Sequence, residues 1–563
     1  MSIFVMFFAM RRICYLIYTM LLVPMVLAAQ EQYSPKYEYR AVWLTTVENL
    51  DWPRTKVRNR SDIAVQQNEL VAILDSLKAM NVNTVLLQTR LRGDVIYPSA
   101  IEPFAHVLTG VEGRNPGYDP LAFAIEECHR RGMQLHAWLV TMPLGKDEHV
   151  KRQGSLALSR RQRSLCTHYK DQWYMEPGNP KTGDYIAGIV KEIVSNYDVD
   201  GIHLDYIRYP DRTNGYPDAS LHRKYGRSLS LADWRRSNVT RIATAVYNVV
   251  KEIKPWVRVS CAPLGKYDNI TRYRSLGWDA YNAVYQEAQD WVRNGIMDIL
   301  FPMIYFSGND FYPFVLDWLE NNAGRHIVPG IGVYRLMPEY GGWRNIEVER
   351  QLRTSRGAGC DGTAMFRADH LLGCGKDIYG RVYDKPALVP PMSWAGEAPA
   401  SPQGLVAARD AKGVSLEWDR VAAGNGLPAV RYNVYASLGD TVDTDNINNL
   451  VASSVTSLSY RWDCRTSSNI SVAVTAVDAY GNESTPAVSV LKVPPTSRVG
   501  ECIELPVSIR GGWRIEVLDL YGRKVYNGRY SRRILVHGLQ QGHYSLKVYD
   551  RHGALLYNRH FAR

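Results

Sequence analysis

The amino-acid sequence predicts an α/β protein: a (β/α)8 TIM barrel followed by a β-sandwich and a small C-terminal β-domain. Three observations support this prediction: the length of 563 residues, the alternation of strand and helix patterns over residues 37–385, and the short strands after residue 402. At about 100–200 residues per domain, two to four domains are expected. With 46% hydrophobic and 22% charged residues, the chain is not broadly disordered.

Residues 1–29 have the pattern of a secretory signal. Arg11 and Arg12 precede an apolar run over residues 13–27, and Ala28 and Ala29 lead into a polar stretch. A basic, an apolar and a small-residue region in this order are typical of an export signal. The run is shorter than the roughly 20 residues of a membrane-spanning helix, and an uncleaved anchor is the alternative. The sequence therefore predicts an exported protein: periplasmic, on the cell surface or secreted.

The barrel prediction, assigned to residues 30–385, depends on eight strands that alternate with seven helices. Helix 67–80 illustrates the pattern, because its apolar residues recur on one face. A doubly wound open sheet is the alternative, but no glycine-rich phosphate loop follows the first strand. The predicted strands are 39–47, 84–90, 134–142, 201–209, 258–264, 298–306, 327–335 and 362–370. The predicted helices are 67–80, 120–131, 184–196, 231–253, 280–294, 312–322 and 346–356.

Two β-domains are predicted beyond a proline-rich linker at residues 386–402. Residues 403–493 show short alternating strands, which indicate a two-sheet sandwich. Their Tyr432–Tyr435 and Val474–Asp478 stretches resemble those of a fibronectin type III module. Residues 494–563 are also β-like and resemble the C-terminal sorting domain of proteins exported by the type IX pathway. A plain accessory β-domain is the alternative for this last segment.

The net charge of +11 is concentrated at the two ends of the chain. Residues 1–29 contribute +2 and residues 510–563 contribute +8, so the body between them is nearly neutral. A nearly neutral body without a basic helix argues against nucleic-acid binding. The cysteines form no CxxC pair, so neither a metal site nor a cofactor is expected.

The fourth predicted strand carries the most informative residues. Side chains alternate along a strand, so His203 and Asp205 share one face while Ile202 and Leu204 share the other. The apolar pair suits the helix-packing side, which directs His203 and Asp205 into the barrel. An inward carboxylate is costly unless it is paired or used, so Asp205 is a candidate catalytic residue. A structural ion pair with an arginine such as Arg208 is the alternative.

The other predicted strand ends supply aromatic, basic and acidic side chains around the same mouth. That mixture suits a sugar, because aromatic rings stack on pyranoses and charged groups bind hydroxyls. For Trp138 or Tyr305 taken alone, a place in the barrel core is the alternative. The candidate substrate-binding residues are Arg90, Asp94, His136, Trp138, His203, Tyr206, Arg208, Tyr305 and Asp310.

Residues 37–385 resemble the glycosyl-hydrolase-like 10 family through blocks that occur in order along the chain. Among these blocks are Glu38–Val47, Gln88–Arg90, His136–Leu139, Glu176–Pro180 and Asp200–Pro210. The resemblance implies an exported (β/α)8 glycoside hydrolase that acts on an oligo- or polysaccharide. The family includes enzymes that act on peptidoglycan strands stripped of peptides, so bacterial cell-wall glycan is the expected substrate, and another bacterial or host glycan is the alternative.

The resemblance also implies catalytic residues. Asp205 matches the family's fourth-strand motif, and Glu287 is the predicted acid/base, because glycosidic cleavage usually needs two carboxyl groups. Asp94 and Asp310 are the reserves for that role, and a solvated helix residue is the alternative for Glu287. The chain departs from relatives at residues 140–143, where it has Val-Thr-Met-Pro and relatives often have Asn-Pro, so a substrate contact there is expected to differ.

Two further expectations concern the surface of the protein. The long loop over residues 143–178 carries Arg160, Arg161, Arg163, His168 and Trp173, so it is a candidate to cover the site and to bind an acidic sugar. The C-terminal β-domains suit association with the cell envelope. The alternative function for the whole chain is a glycan-binding surface protein whose barrel lacks turnover.

Overall fold

The computed structural model describes residues 34–211, 213–271, 273, 278–410, 413–464, 468–492, 497–498, 502–506, 509 and 512–563. The predicted export signal, residues 1–29, lies outside the described residues. Within these ranges, no helix combines the length and the hydrophobicity that a bilayer crossing requires.

A parallel β-sheet forms the centre of the N-terminal domain. Each strand pairs with the next one along the chain, and the eighth pairs with the first. The seventh strand is interrupted at Val328 and Pro329; its first half pairs with the sixth strand and its second half with the eighth. The sheet therefore closes as in a (β/α)8 barrel. The strands are Tyr39–Leu44, Thr84–Arg90, Gln134–Val140, Gly201–Asp205, Arg258–Cys261, Ile299–Leu300, His326–Ile327 with Gly330–Ile331, and Gly362–Met365.

Helices cover the outside of this sheet. Two of them begin at clear capping residues: the side chain of Asn59 accepts hydrogen bonds from the first turn of Arg60–Ala79, and that of Asp119 does so for Pro120–Arg130. The other α-helices of the domain are Asp147–Gln153, Leu158–Arg161, Lys181–Asn196, Ala219–Tyr225, Leu231–Ile253, Ala280–Ala283, Ala288–Arg293, Tyr312–Glu320, Asn345–Ala358, Ala368–His370 and Lys376–Val382. Shorter 3-10 and π turns are Val47–Asn49, Gly154–Leu156, Arg163–Leu165, Gly308–Asp310, Val333–Leu336, Pro338–Tyr340 and Leu371–Gly375.

The prediction of a mixed α/β barrel is confirmed, with one systematic difference in the strands. Every predicted strand start lies within one residue of the observed one, whereas seven of the eight predicted ends run too far. The alternation of apolar and polar residues continues beyond the last residues that pair with a neighbouring strand. There the chain leaves the sheet and enters the loops of the barrel mouth. One predicted helix, 280–294, is two short helices, because Tyr285 between them has φ +61°.

The loop after the third strand forms a small antiparallel sheet of its own. Its strands are Pro143–Lys146, Cys166–Tyr169 and Gln172–Met175, with the last one in the middle. The backbone N–H of Met175 donates to the carbonyl of Met142, at 2.7 Å. This excursion therefore stands directly beyond the end of the third barrel strand.

Antiparallel sheets follow the barrel, as predicted. Two sheets enclose an apolar core that includes Trp418, Tyr432 and Val474. Their strands are Val406–Arg409, Val414–Glu417 and Ser459–Trp462 in one sheet, and Leu450–Val455, Arg431–Leu438, Ile470–Val477 and Ala487–Leu491 in the other. The turn Ile447–Asn449 precedes the strand at 450.

The last strands have a separate core around Ile515, Leu546 and Phe561. They are Ser497–Arg498, Cys502–Glu504, Arg514–Asp519, Lys524–Arg529, Arg533–Leu535, His543–Tyr549 and Leu555–Ala562.

The proline-rich segment 386–402 is not a free spacer along its whole length. The backbone of Leu388 exchanges hydrogen bonds with Lys36 and Glu38 at the start of the barrel domain. Met392 is fully buried, and its N–H donates to the carbonyl of Tyr480 in the sandwich. The first half of the predicted linker therefore packs between the barrel and the sandwich.

Candidate active site

Asp205 ends the fourth barrel strand at the C-terminal mouth, with 6% of its surface exposed. Its Oδ1 accepts a hydrogen bond from the backbone N–H of Tyr206 at 2.7 Å, and its Oδ2 accepts one from Trp138 Nε1 at 3.2 Å. Burial raises the pKa of Asp205 to about 6, although Arg208 and the two N–H donors favour the charged form. Asp205 is therefore an oriented carboxylate that gains a proton in mildly acidic solution.

His203 lies one layer deeper in the barrel, on the same face as Asp205. Its Nε2 accepts a hydrogen bond from Trp43 Nε1 at 3.1 Å, and its Nδ1 lies 3.0 Å from Ser260 Oγ. Burial holds the pKa of His203 well below its ordinary value, so the ring is neutral. Because Nε2 accepts, Nδ1 carries the proton and donates to Ser260. His203 thus supports the floor of the mouth.

Two other predicted residues lie in the same interior. Trp138 is buried and uses its indole N–H on Asp205. His136 is fully buried beside Gly201, near the start of the fourth strand, and burial lowers its pKa to about 3. Trp138 therefore contacts the candidate catalytic carboxylate, whereas His136 lies two strand positions below Trp138.

A basic and aromatic group forms one rim of the mouth. The guanidinium of Arg208 lies 4.4 Å from the ring centre of Tyr206 and 5.8 Å from that of Trp278, and both rings are about two-fifths exposed. Arg208 Nη2 lies 3.6 Å from Asp211, but Nε and Nη1 are buried without a hydrogen-bond partner. Unpaired buried donors are costly, so this guanidinium suits oxygen atoms of a ligand.

Tyr305 supplies a second unpartnered polar atom. Its ring stacks on Phe366 with centroids 5.3 Å apart, and its edge contacts Trp43. Its hydroxyl is buried without a hydrogen-bond partner. Burial and the charge of Asp205 raise the pKa of Tyr305 well above its ordinary value, so the hydroxyl keeps its proton and remains a free donor.

Three of the other predicted residues have partners within the protein. Arg90 is buried in an ion pair with Glu102 at 2.7 Å and donates to the carbonyls of Val140 and Thr141. Asp94 is buried and accepts from the backbone N–H of Arg92 at 2.9 Å. Asp310 forms a 2.5 Å ion pair with Lys266 at the rim.

Glu287 is not brought beside Asp205. Its Oε2 accepts a hydrogen bond from Thr240 Oγ1 at 2.8 Å, and its Oε1 lies 3.7 Å from Arg236 Nε. Both partners belong to the outer helix Leu231–Ile253. The preceding residue, Gln286, points inward instead and bonds the backbone of Ile207 and Leu264. In the part of the chain that the structure describes, no hydrogen bond or ion pair joins Asp205 to a second carboxyl group.

Three further aromatic residues contact the site without being predicted from the sequence: Trp43, Trp278 and Phe366. Trp43 stands in a block that carries the family resemblance, and that block was the available signal. Trp278 lies in a loop with no periodic pattern, so only its spatial approach to Arg208 identifies it.

Most of the barrel domain matches a known protein family. The family model described as Glycosyl hydrolase-like 10 matches residues 38–337. The chain is 31% identical over 412 residues to Glycosyl hydrolase YngK of Bacillus subtilis (strain 168), covering 68% of this chain and 79% of that protein. It is 35% identical over 287 residues to Glycosyl hydrolase DigH of Escherichia coli (strain K12), covering 47% of this chain and 65% of DigH.

Among solved structures, the chain is similar to alpha-L-fucosidase isoenzyme 2 from Paenibacillus thiaminolyticus. The sequence identity is 18% and the TM-score 0.42, covering 62% of this chain and 49% of that one.

Proposed function

Because the chain belongs to the glycosyl hydrolase-like 10 family, we propose that it is an exported glycoside hydrolase in which Asp205 is the catalytic carboxylate. The observation that carries this proposal is the position of Asp205. It is a buried carboxylate at the C-terminal end of a barrel strand, where (β/α)8 enzymes place their catalytic groups. The unpartnered Tyr305 hydroxyl and the Arg208 guanidinium face the same mouth.

The proposed role of Asp205 is that of the anionic partner in glycosidic cleavage. Two N–H donors orient its oxygens, so the carboxylate attacks the anomeric carbon or takes a proton from the attacking water. The leaving oxygen needs a proton from a second carboxyl group. Glu287 is the candidate from the sequence. Asp211, which is half-exposed beside Arg208, is a candidate from the structure.

The proposed substrate is a glycan strand of the bacterial cell wall. The family resemblance suggested this class, and the rim of the mouth supports it. Exposed rings of Tyr206 and Trp278 suit the faces of sugar rings, and Arg208 has free donors between them. Muramic acid carries a lactyl carboxylate, and a guanidinium binds carboxylates well through paired N–H donors.

Replacement of Asp205 tests the hydrolase proposal. Asp205→Asn keeps the shape of the side chain but removes its charge, so we expect kcat/KM on peptide-free glycan strands to fall at least about 1,000-fold. Release of reducing ends measures turnover, and calorimetry measures whether the variant still binds the strands. Turnover by Asp205→Asn at the wild-type rate would remove Asp205 from the mechanism.

A matched set of variants identifies the proton donor. Glu287→Gln, Asp211→Asn and Asp310→Asn each remove one carboxyl group. Loss of the general acid slows glycosides with poor leaving groups far more than activated aryl glycosides. The contacts of Glu287 with the outer helix lead us to expect near wild-type turnover for Glu287→Gln and a larger loss for Asp211→Asn.

A glycan-binding protein without turnover is the second candidate function. The observation that favours it is that Asp205 contacts no second carboxyl group among the described residues. Under this alternative, the wild-type chain would bind peptide-free strands yet release no sugar from them. The same calorimetry and reducing-end measurements therefore separate the two functions.

For the C-terminal domains, we propose a fibronectin type III-like module and a sorting-like domain that associates with the cell envelope. The two-sheet arrangement around Trp418 and Tyr432 supports the first assignment. The excess of positive charge over residues 510–563 supports the second, because a basic module suits an anionic cell surface.

A further inference from the structure

Three side chains with metal-binding atoms converge at one side of the barrel mouth. Asp94 and His106 lie in the loop after the second strand, and His149 lies in helix Asp147–Gln153 of the excursion after the third strand. One ligand atom from each lies within 4.8 Å of the others. The Asp94 side chain is 1% exposed and that of His149 is 6% exposed.

Several buried polar atoms in this cluster lack a hydrogen-bond partner. His149 Nε2 faces Asp94 Oδ2 at 3.8 Å, which is too long for a hydrogen bond. His106 Nδ1 and Glu112 Oε2 are likewise buried and unpartnered. The oxygen that His149 Nε2 faces, Asp94 Oδ2, accepts only a long hydrogen bond from Gln153 Nε2, at 3.4 Å. Buried polar groups are normally satisfied, so three unpartnered atoms in one cluster indicate a ligand-binding site.

We propose that Asp94, His106 and His149 bind a divalent transition-metal cation, with zinc as the ion that best suits two imidazoles and one carboxylate. Atoms bound to a tetrahedral zinc ion at about 2.0–2.2 Å lie about 3.3–3.6 Å apart. The 3.8 Å separation of His149 Nε2 and Asp94 Oδ2 exceeds that range by a few tenths of an ångström. All three ligand atoms lie within 4.8 Å of one another, so side-chain movements of about 1 Å bring the third atom into the same coordination sphere.

Glu112 is the candidate for a fourth ligand. Its Oε1 lies 3.6 Å from His106 Nδ1 and also accepts from Arg152, while its Oε2 is free. A carboxylate in that position would complete a four-coordinate site of the kind zinc prefers in structural sites. The ion would then hold the loop after the second strand against the excursion after the third.

Arg152 fixes the tautomer of His149 in the metal-free protein. Its Nη2 donates to His149 Nδ1 at 3.0 Å, so the neutral ring without metal carries its proton on Nε2. Binding through Nε2 moves that proton to Nδ1, and Arg152 must then turn away. Its side chain is half-exposed, which leaves room for that movement. Arg152 therefore competes with the metal.

Zinc binding to the full chain tests the site. The protein is stripped with EDTA, dialysed and titrated with Zn²⁺ by calorimetry, with bound metal counted by elemental analysis. We expect one ion per wild-type chain and at least 100-fold weaker binding for His149→Gln and Asp94→Asn. Arg152→Ala removes the competing donor and is expected to bind several-fold more tightly.

His168→Gln is the matched control, because His168 lies on the same excursion and contacts Asp147 instead of the cluster. It should bind zinc as the wild type does. Wild-type binding by His149→Gln, or no stoichiometric zinc in the wild type, overturns the proposal.

A measurement on the wild type alone covers the case in which the variants fail to fold. Co²⁺ bound by imidazole and carboxylate groups in a tetrahedral site absorbs visible light through d–d transitions. Such absorption, removed by one equivalent of Zn²⁺, supports the site, and its absence at saturating Co²⁺ overturns it. These readouts do not depend on hydrolase activity.

Discussion

At the scale of single residues, the candidate site contains a carboxyl group whose burial disfavours its charged form, and N–H and O–H groups that have no hydrogen-bond acceptor. Burial raises the pKa of Asp205 to about 6, while Arg208 lies close enough to favour the anion. The Tyr305 hydroxyl and two Arg208 nitrogens have no protein partner. Such arrangements destabilise the free protein and occur where a substrate completes the contacts.

Replacement of Asp205 should stabilise the fold at neutral pH. A buried carboxyl whose pKa rises from 3.8 to about 6 binds its proton more tightly in the folded chain. The protonated carboxyl therefore stabilises the folded chain fully below about pH 4, and this stabilisation is lost as the pH rises through about 6. An asparagine has one acceptor oxygen, so it keeps only one of the two N–H contacts of Asp205. With this loss included, we expect Asp205→Asn to raise the free energy of unfolding by about 1–2 kcal/mol at pH 7.

Urea unfolding at pH 7 and at pH 4 measures this effect. The gain should be present at pH 7 and absent at pH 4, where the wild-type carboxyl is protonated. An Asp205→Asn chain that is less stable than wild type at both pH 7 and pH 4 would contradict the inference that burial of the charged Asp205 carboxylate destabilises the folded chain.

At the scale of elements, the loops of the barrel mouth are joined by buried contacts between segments. Arg90 at the end of the second strand pairs with Glu102 in the following loop and reaches the backbone at the end of the third strand. The hydroxyl of Tyr185, on helix Lys181–Asn196, also donates to Glu102. Arg90 thus ties three elements together below the rim.

Removal of Arg90 should therefore destabilise the protein strongly. Arg90→Met leaves the fully buried Glu102 without its cation, so we expect a loss of about 3–5 kcal/mol in the free energy of unfolding. The double variant Arg90→Met/Glu102→Leu should recover most of this loss. Arg92→Met is the control, since its pair with Glu48 is partly exposed and worth less than about 1 kcal/mol. Equal losses for Arg90→Met and Arg92→Met in urea unfolding would contradict this reasoning.

At the scale of the whole molecule, the sandwich is attached to the barrel through Glu483. Its carboxylate pairs with Lys36 at 2.7 Å and accepts from the hydroxyls of Tyr37 and Tyr435. These bonds and charges lower the pKa of Glu483, so the contact is ionic at neutral pH. The last β-domain differs, because its described strands pack around a core of their own.

Deletion of residues 494–563 should separate location from activity. Since this segment has its own core, we expect the shortened chain to keep its rate of glycan hydrolysis within about twofold. We also expect it to leave the cell envelope for the soluble fraction. Cell fractionation with activity measurements checks both expectations, and a shortened chain that stays with the envelope would refute the proposed role of this domain.

The sequence by itself determined the barrel and the inward direction of Asp205. Both follow from local periodicity. Each predicted strand begins where a helix pattern ends and apolar residues start to alternate. His203 and Asp205 share a face because side chains alternate along a strand. The resemblance to the family implies the same residue as the catalytic candidate.

Only the tertiary structure decided which distant groups meet. Glu287 faces the outer helix because the turn at Tyr285 directs Gln286 inward, and no residue pattern marks that turn. Asp94, His106 and His149 lie on separate segments, so their spacing in the sequence does not resemble a metal motif. Loop conformations depend on packing between elements far apart in the chain, whereas strand faces depend on neighbouring residues alone.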